Sequence, residues 1–140
     1  MERCATWIEA RHPFKRTRRG IDTPVLDIEV FWPSLPGPAK ASFVVDTGCE
    51  YDLILARPLR DALVAGGVPF ERSWIEWGAA VRAQRFGLQA LIGGKWRVVE
   101  AHFPEGPEVD ENLVGLPMLR FEAVCLRPPL EQTWVGRALR

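Results

Sequence analysis

The chain has 140 residues, 47% hydrophobic and 26% charged, a composition that suits one soluble globular domain with a single core. Its 18 basic and 18 acidic side chains cancel, so no overall field draws it to nucleic acid or to an anionic membrane surface. No apolar run approaches a membrane span, no signal-peptide core lies within the first 20 residues, and Cys4, Cys49 and Cys125 fit neither a disulfide framework nor metal-ligand spacing; a cytoplasmic, reducing setting is the expectation.

Glycine and proline, 12 of each, favour many short elements over long helices. Residues 1–20 read as a basic N-terminal arm, in which Arg3, Arg11, Lys15, Arg16, Arg18 and Arg19 outnumber Glu2 and Glu9. Six cations without interleaved aromatics make a thin patch, so a solvated arm is expected rather than a nucleic-acid contact. Ala5 to Arg11 has the composition of an edge strand. Residues 21–140 read as one mainly β domain.

Leu26, Ile28 and Val30 alternate with Asp27 and Glu29, the pattern of a half-buried strand over Val25 to Trp32. Three prolines and a glycine make Pro33 to Pro38 a loop, and Ala41 to Val45 the returning strand of a hairpin. Asp46 to Asp52 is a loop, left by a strand at Leu53 to Leu55. Pro58 to Val64 reads as a short helix with Pro58 in its first turn, Leu59, Ala62 and Leu63 on one face, and Gly66-Gly67 as its stop. Strands follow on either side of Gly78, from Trp74 to Trp77 and from Val81 to Ile92. Gly93-Gly94 predicts a tight hairpin into Trp96 to Phe103. Pro104 to Asn112 reads as an acidic, solvated loop. The apolar stretch Leu113 to Leu119 contains Gly115 and allows a helical turn after Pro117. Phe121 to Leu126 and Gln132 to Val135 are the last strands expected. No internal repeat is visible.

The chemistry concentrates at Asp46-Thr47-Gly48. As a bare tripeptide it turns up by chance in roughly a few per cent of chains of this length, and Asp and Gly also suit an ordinary turn. Its flanks sharpen it. Phe43-Val44-Val45 and Leu53-Ile54-Leu55 are apolar on both sides, so a carboxylate is set between two buried strands. Such a charge is costly unless hydrogen-bonded, paired or functional. The tripeptide occurs once.

Phe43-Val44-Val45-Asp46-Thr47-Gly48-Cys49 resembles the active-site loop of the retropepsin-like aspartic proteases, and Leu113-Val114-Gly115 resembles the family's second signature, a strand whose glycine permits close approach beneath that loop. The resemblance runs from about Pro24 to Leu126. The helix directly after the loop looks more like the bacterial single-domain members than the viral enzymes. The chain departs from the family at Leu116, where viral members carry an arginine that braces the dimer, at Pro117 in place of an acidic residue, and at Cys49 in place of alanine.

The resemblance implies an all-β fold with one or two short helices, closed as an acid-protease barrel in a single domain. It implies a homodimer in which Asp46 of two chains forms one catalytic pair, with Thr47 and Gly48 holding the loop, an extended peptide or protein as substrate, and no metal or cofactor. Cys49, Glu50, Trp77 and Gly78 are the expected substrate-binding residues, Trp77 and Gly78 within a flap over Trp74 to Ala80; as plain sequence, Trp74 and Trp77 read equally as core or interface aromatics. A second reading keeps the same barrel as a catalytically silent peptide-binding or dimerisation module. No membrane partner is expected. His12 and His102 sit in no ligand pattern, Cys49 has no base nearby, and Gly93-Gly94-Lys95 lacks the spacing of a phosphate loop.

Overall fold

The computed structural model describes residues 7–17, 20–119, 123–127 and 130–137. In chain order the elements are β1 (Trp7–Pro13), β2 (Lys15–Arg16), β3 (Asp22–Thr23), β4 (Val25–Phe31), β5 (Ala39–Asp46), β6 (Leu53–Ile54), α1 (Arg57–Ala65), β7 (Glu71–Glu76), β8 (Ala80–Ile92), β9 (Lys95–Pro104), β10 (Leu113–Gly115), α2 (Leu116–Leu119), β11 (Ala123–Arg127) and β12 (Gln132–Arg137). The fold is all-β with two short helices.

Seven strands form the main sheet, in the order β4-β5-β10-β6-β9-β8-β7. A further pairing of β4 with β8, from Glu29↔Leu91 to Phe31↔Gln89, closes six of these strands into a barrel and leaves β7 as an extension on β8. The alternation read in β4 holds: Leu26, Ile28 and Val30 face the interior at 1% exposure or less. Phe86, Leu88, Ala90 and Ile92 of β8 are likewise buried, while Gly87 and Gln89 face out. The core they enclose is completed by Phe43, Leu53, Val99, Val114 and Met118. The β8–β9 turn has positive φ at both Gly93 (57°) and Gly94 (76°), a conformation that glycine adopts without steric cost and that matches the twist of the flanking strands.

Helix α1 closes one side. Leu59 and Leu63, four residues apart, are its buried stripe, and Pro58 occupies its first turn. The amide of Gly66 bonds back to the carbonyl of Ala62, and Gly67 follows with φ 80°. The N-cap, Ala56, has no side-chain cap of its own. Its amide donates instead to Asn112 Oδ1 at 2.7 Å, across 56 residues of chain.

The segment read as an arm contributes β1, which pairs antiparallel with β12 in a three-stranded sheet, β1-β12-β11. A small hairpin, β2–β3, follows it. Lys15 Nζ in that hairpin donates to Asp27 Oδ1 at 2.8 Å and contacts Ser42 Oγ at 2.6 Å, while the Asp27 amide donates to His12 Nδ1 at 3.1 Å. These contacts fasten the segment to β4 and β5. Of the strand expected over Phe121 to Leu126, Phe121 and Glu122 lie outside the described residues.

Candidate active site

Strand β5 ends on Asp46, which is half-buried. The chain then turns at once: the Cys49 amide donates to the Asp46 carbonyl at 3.1 Å, and the Gly48 amide donates to Asp46 Oδ1 at 3.0 Å. A Cβ added to Gly48 would stand 3.4 Å from that carboxylate oxygen. The carboxylate is thus held by its own turn, with a backbone dipole aimed at it. Thr47 and Gly48 are exposed.

Between β5 and the returning β6 lies β10, parallel to β5 (Gly115↔Asp46, Val114↔Val45) and antiparallel to β6 (Val114↔Leu53). This late strand fills the gap that the loop from Thr47 to Asp52 opens. It also satisfies the loop's carbonyls, since the Gly115 amide donates to Asp52 O and the Leu116 amide to Cys49 O, both at 2.9 Å. A Cβ on Gly115 would lie 1.9 Å from Tyr51 O, 2.8 Å from Cys49 O and 3.0 Å from Cys49 Sγ. Glycine is required there for lack of space.

The hairpin of β7 and β8 leans over the same region. Its turn runs through Trp77, Gly78 and Ala79; the Trp77 amide donates to Ala79 O at 2.8 Å, and Gly78 has φ 76°. Ile75, Trp77, Val81 and Ala83 pack with Cys49, Tyr51, Ile54, Val109 and Leu113 in a second apolar cluster. That cluster joins the Asp46 loop, the hairpin and β10.

A cleft of about 520 Å³ opens at Asp46. Its walls are Val44 and Leu113 beside the carboxylate, Trp77 from the hairpin, Thr17, Ile21 and Thr23 from the N-terminal segment, and Glu108, Val109, Asp110 and Glu111. The acidic loop expected to be merely solvated therefore forms one wall, because Val109 anchors it in the second apolar cluster. Glu108 also pairs with Arg57 of α1.

Of the residues expected at the site, Asp46 and Trp77 line the cleft. Gly48 holds the carboxylate from behind. Gly78 is at the exposed tip of the hairpin, and Glu50 is exposed on the loop without lining the cleft. Cys49 is 3% exposed and its thiol faces Tyr51 O at 3.6 Å. Burial, reinforced by the charges of Asp46, Glu50 and Asp52, pushes that thiol's pKa up, which keeps it protonated and a poor nucleophile. Trp74 is 64% exposed and faces away, with Arg82 over its ring at 5.6 Å.

Two solved structures have this arrangement of strands. A retropepsin-like aspartic protease from Rickettsia conorii matches with a TM-score of 0.57 at 19% sequence identity, over 91% of this chain and 91% of its own. EIAV protease, in complex with the inhibitor HBY-793, matches with a TM-score of 0.51 at 11% identity, over 71% of this chain and 86% of its own. The fold is retropepsin-like. No family model and no curated protein matches the sequence.

Within the retropepsin-like fold, Asn112 stands out as a residue that sequence reading passed over. Besides holding the Ala56 amide, its carbonyl accepts the Val44 amide at 2.7 Å and its Nδ2 donates to Ser42 O at 3.3 Å. One residue therefore ties α1 and β5 to the entry of β10, its side chain holding Ala56 and Ser42 and its backbone holding Val44. Its signal in the sequence was only its place, directly before Leu113-Val114-Gly115. No helix among the described residues is long and apolar enough to cross a membrane.

Proposed function

We propose that this chain is an aspartic endopeptidase, active as a homodimer in which Asp46 of each protomer supplies one carboxylate of a shared catalytic pair. The observation that carries the reading is the setting of Asp46. It is a half-buried carboxylate at a strand end, hydrogen-bonded by the Gly48 amide and seated beside Gly115, at the mouth of a cleft large enough for a peptide side chain. The retropepsin-like fold and the single copy of the tripeptide support the step to two chains.

Chemically, two carboxylates at contact distance cannot both ionise cheaply, so the pair holds one proton. The ionised member takes a proton from a water, and the protonated member donates to the scissile carbonyl oxygen as the water attacks. Gly48, lacking a side chain, lets the partner loop and the substrate backbone come close. The Trp77 hairpin covers the cleft and excludes water from it. An extended peptide would lie between hairpin and loop, backbone to backbone, with side chains in alternate pockets.

Hydrolysis of a mixed peptide library at mildly acidic pH tests the reading. Wild type cleaves. Asp46→Asn keeps an oxygen for the Gly48 amide, so it folds as wild type and does not cleave. A wild type that is dimeric yet cleaves nothing from acid to neutral pH contradicts the proposal.

A further inference from the structure

We infer that Tyr51 is a positioning residue that ties the Trp77 hairpin to the Asp46 loop of the same protomer and sets the height of the cleft's roof before any substrate arrives. The inference rests on the peptidase reading above for its effect on catalysis, but the tie itself is a property of the fold.

Tyr51 Oη accepts the Glu76 amide at 2.7 Å. Glu76 is the last residue of β7, and the next residue, Trp77, is the hairpin's contribution to the cleft wall beside Asp46. The phenol thus grips the hairpin at the point where it leaves the sheet. Tyr51 itself has little freedom. Its ring lies against His102, with centroids 5.2 Å apart and planes tilted by 59°, and His102 is 5% exposed on β9. Its carbonyl accepts the Cys49 thiol and sits over Gly115, where no side chain fits beneath it. A group fixed at its ring and its backbone, with its hydroxyl bonded to a neighbouring hairpin, transmits the position of one to the other.

Besides the apolar packing of Ile75, Trp77 and Val81, which fixes no hydrogen-bond register, the tip of the hairpin is held by one turn bond, from the Trp77 amide to Ala79 O, and by the β7–β8 ladder. Without Tyr51 Oη the roof samples open positions, and substrate must close it. That cost falls on binding, because the carboxylate is held by the Gly48 amide and packed over β10, neither of which involves the phenol. Loss of the hydroxyl therefore raises KM and spares kcat.

The experiment compares the full-length wild type with Tyr51→Phe, which keeps the ring against His102 and deletes only the acceptor. Amide hydrogen exchange, measured without substrate, is expected to rise by roughly fivefold or more at Glu76 to Ala79, the factor one net hydrogen bond sets, with β9 amides unchanged as the control for intact folding. Peptide cleavage by the variant is expected to show KM raised by a similar factor, roughly fivefold, at unchanged kcat. Exchange at Glu76 to Ala79 that matches wild type overturns the tie, and a fall in kcat with KM unmoved overturns its assigned effect on binding. If wild type cleaves no peptide, the peptidase reading and the effect on KM fail together, and the exchange result alone still decides whether Tyr51 holds the hairpin.

Discussion

Gly115 and Tyr51 are in contact through backbone alone: a Cβ placed on Gly115 would fall 1.9 Å from the carbonyl oxygen of Tyr51. The relationship explains why a late, short strand carries a glycine. β10 has to slide between β5 and β6 under a loop that is already closed by the Asp46–Cys49 turn. The obstructing atoms are main chain, so no rotamer change relieves the clash. Gly115→Ala is expected to destabilise the fold by about 3 kcal/mol, at the upper end of overpacking costs, and to displace the loop that carries Asp46. Urea unfolding of the variant measures it; a loss within error of zero would mean that the loop and β10 are not packed as described.

Asn112 serves three partners from one position. Truncation to alanine leaves the Ala56 amide, in a residue 5% exposed, without its acceptor and removes a donor from Ser42 O. The expected loss is about 2–3 kcal/mol, the cost of leaving a buried backbone group unsatisfied. Because Ala56 caps α1 without a side chain of its own, exchange protection in the first turn of α1 should fall first. Stability equal to wild type would contradict this role.

Acid should weaken the fold. Burial lowers the pKa of His102 from the ordinary 6.5; Glu100 and Asp52 oppose the shift and Arg85 adds to it. Burial likewise lowers His12, with Asp27 opposing and Lys40 and Lys15 assisting. His12 Nδ1 already accepts the Asp27 amide, so a proton there displaces that bond. Each imidazole takes up its proton more readily in the unfolded chain. Stability is therefore full above 6.5 and is lost as pH falls through 6.5 toward the folded-state values. Asp27 acts further down. Burial raises its pKa, but hydrogen bonds from Lys15 and Ser42 outweigh that and hold it below 3.8, so its contribution is present above 3.8 and fades as pH drops through the folded value. Urea midpoints at about pH 7.5 and about pH 5.5 should show lower stability at the acid value. His102→Gln should reduce the difference, and equal midpoints in the wild type would show that neither imidazole is buried as described.

Much of this was legible because local pattern and tertiary packing agreed. The alternation in β4, the paired glycines at 93 and 94, and the stripe of Leu59 and Leu63 all encode period and turn chemistry in adjacent residues. The Asp46 loop was legible by its apolar flanks. Trp74 and Trp77 read equally as core or interface aromatics by composition, yet strand parity distinguishes them: Trp77 shares a face with Ile75, while Trp74 shares the opposite, exposed face with Arg72 and Glu76. Contacts between distant segments left no local trace. The Tyr51–Glu76 bond spans 25 residues and the Asn112–Ala56 bond 56, and nothing near either residue marks its partner. The wall supplied by Thr17, with Ile21 and Thr23 just after it, was hidden for the same reason, since the basic composition of residues 1–20 speaks for solvent and not for the Lys15–Asp27–Ser42 link that draws the β2–β3 hairpin in.

The central claim is that one chain holds half a site. It is tested most directly by mixing wild type with Asp46→Asn at constant total chain concentration, above the dimer dissociation constant, and reading peptide hydrolysis against the wild-type fraction. If two Asp46 carboxylates are needed, only pure wild-type dimers cleave, and an equimolar mixture retains about a quarter of the activity because random pairing follows the square of the fraction. An equimolar mixture that retains about half, falling in proportion to the wild-type fraction, would show that each chain acts alone and would contradict the account.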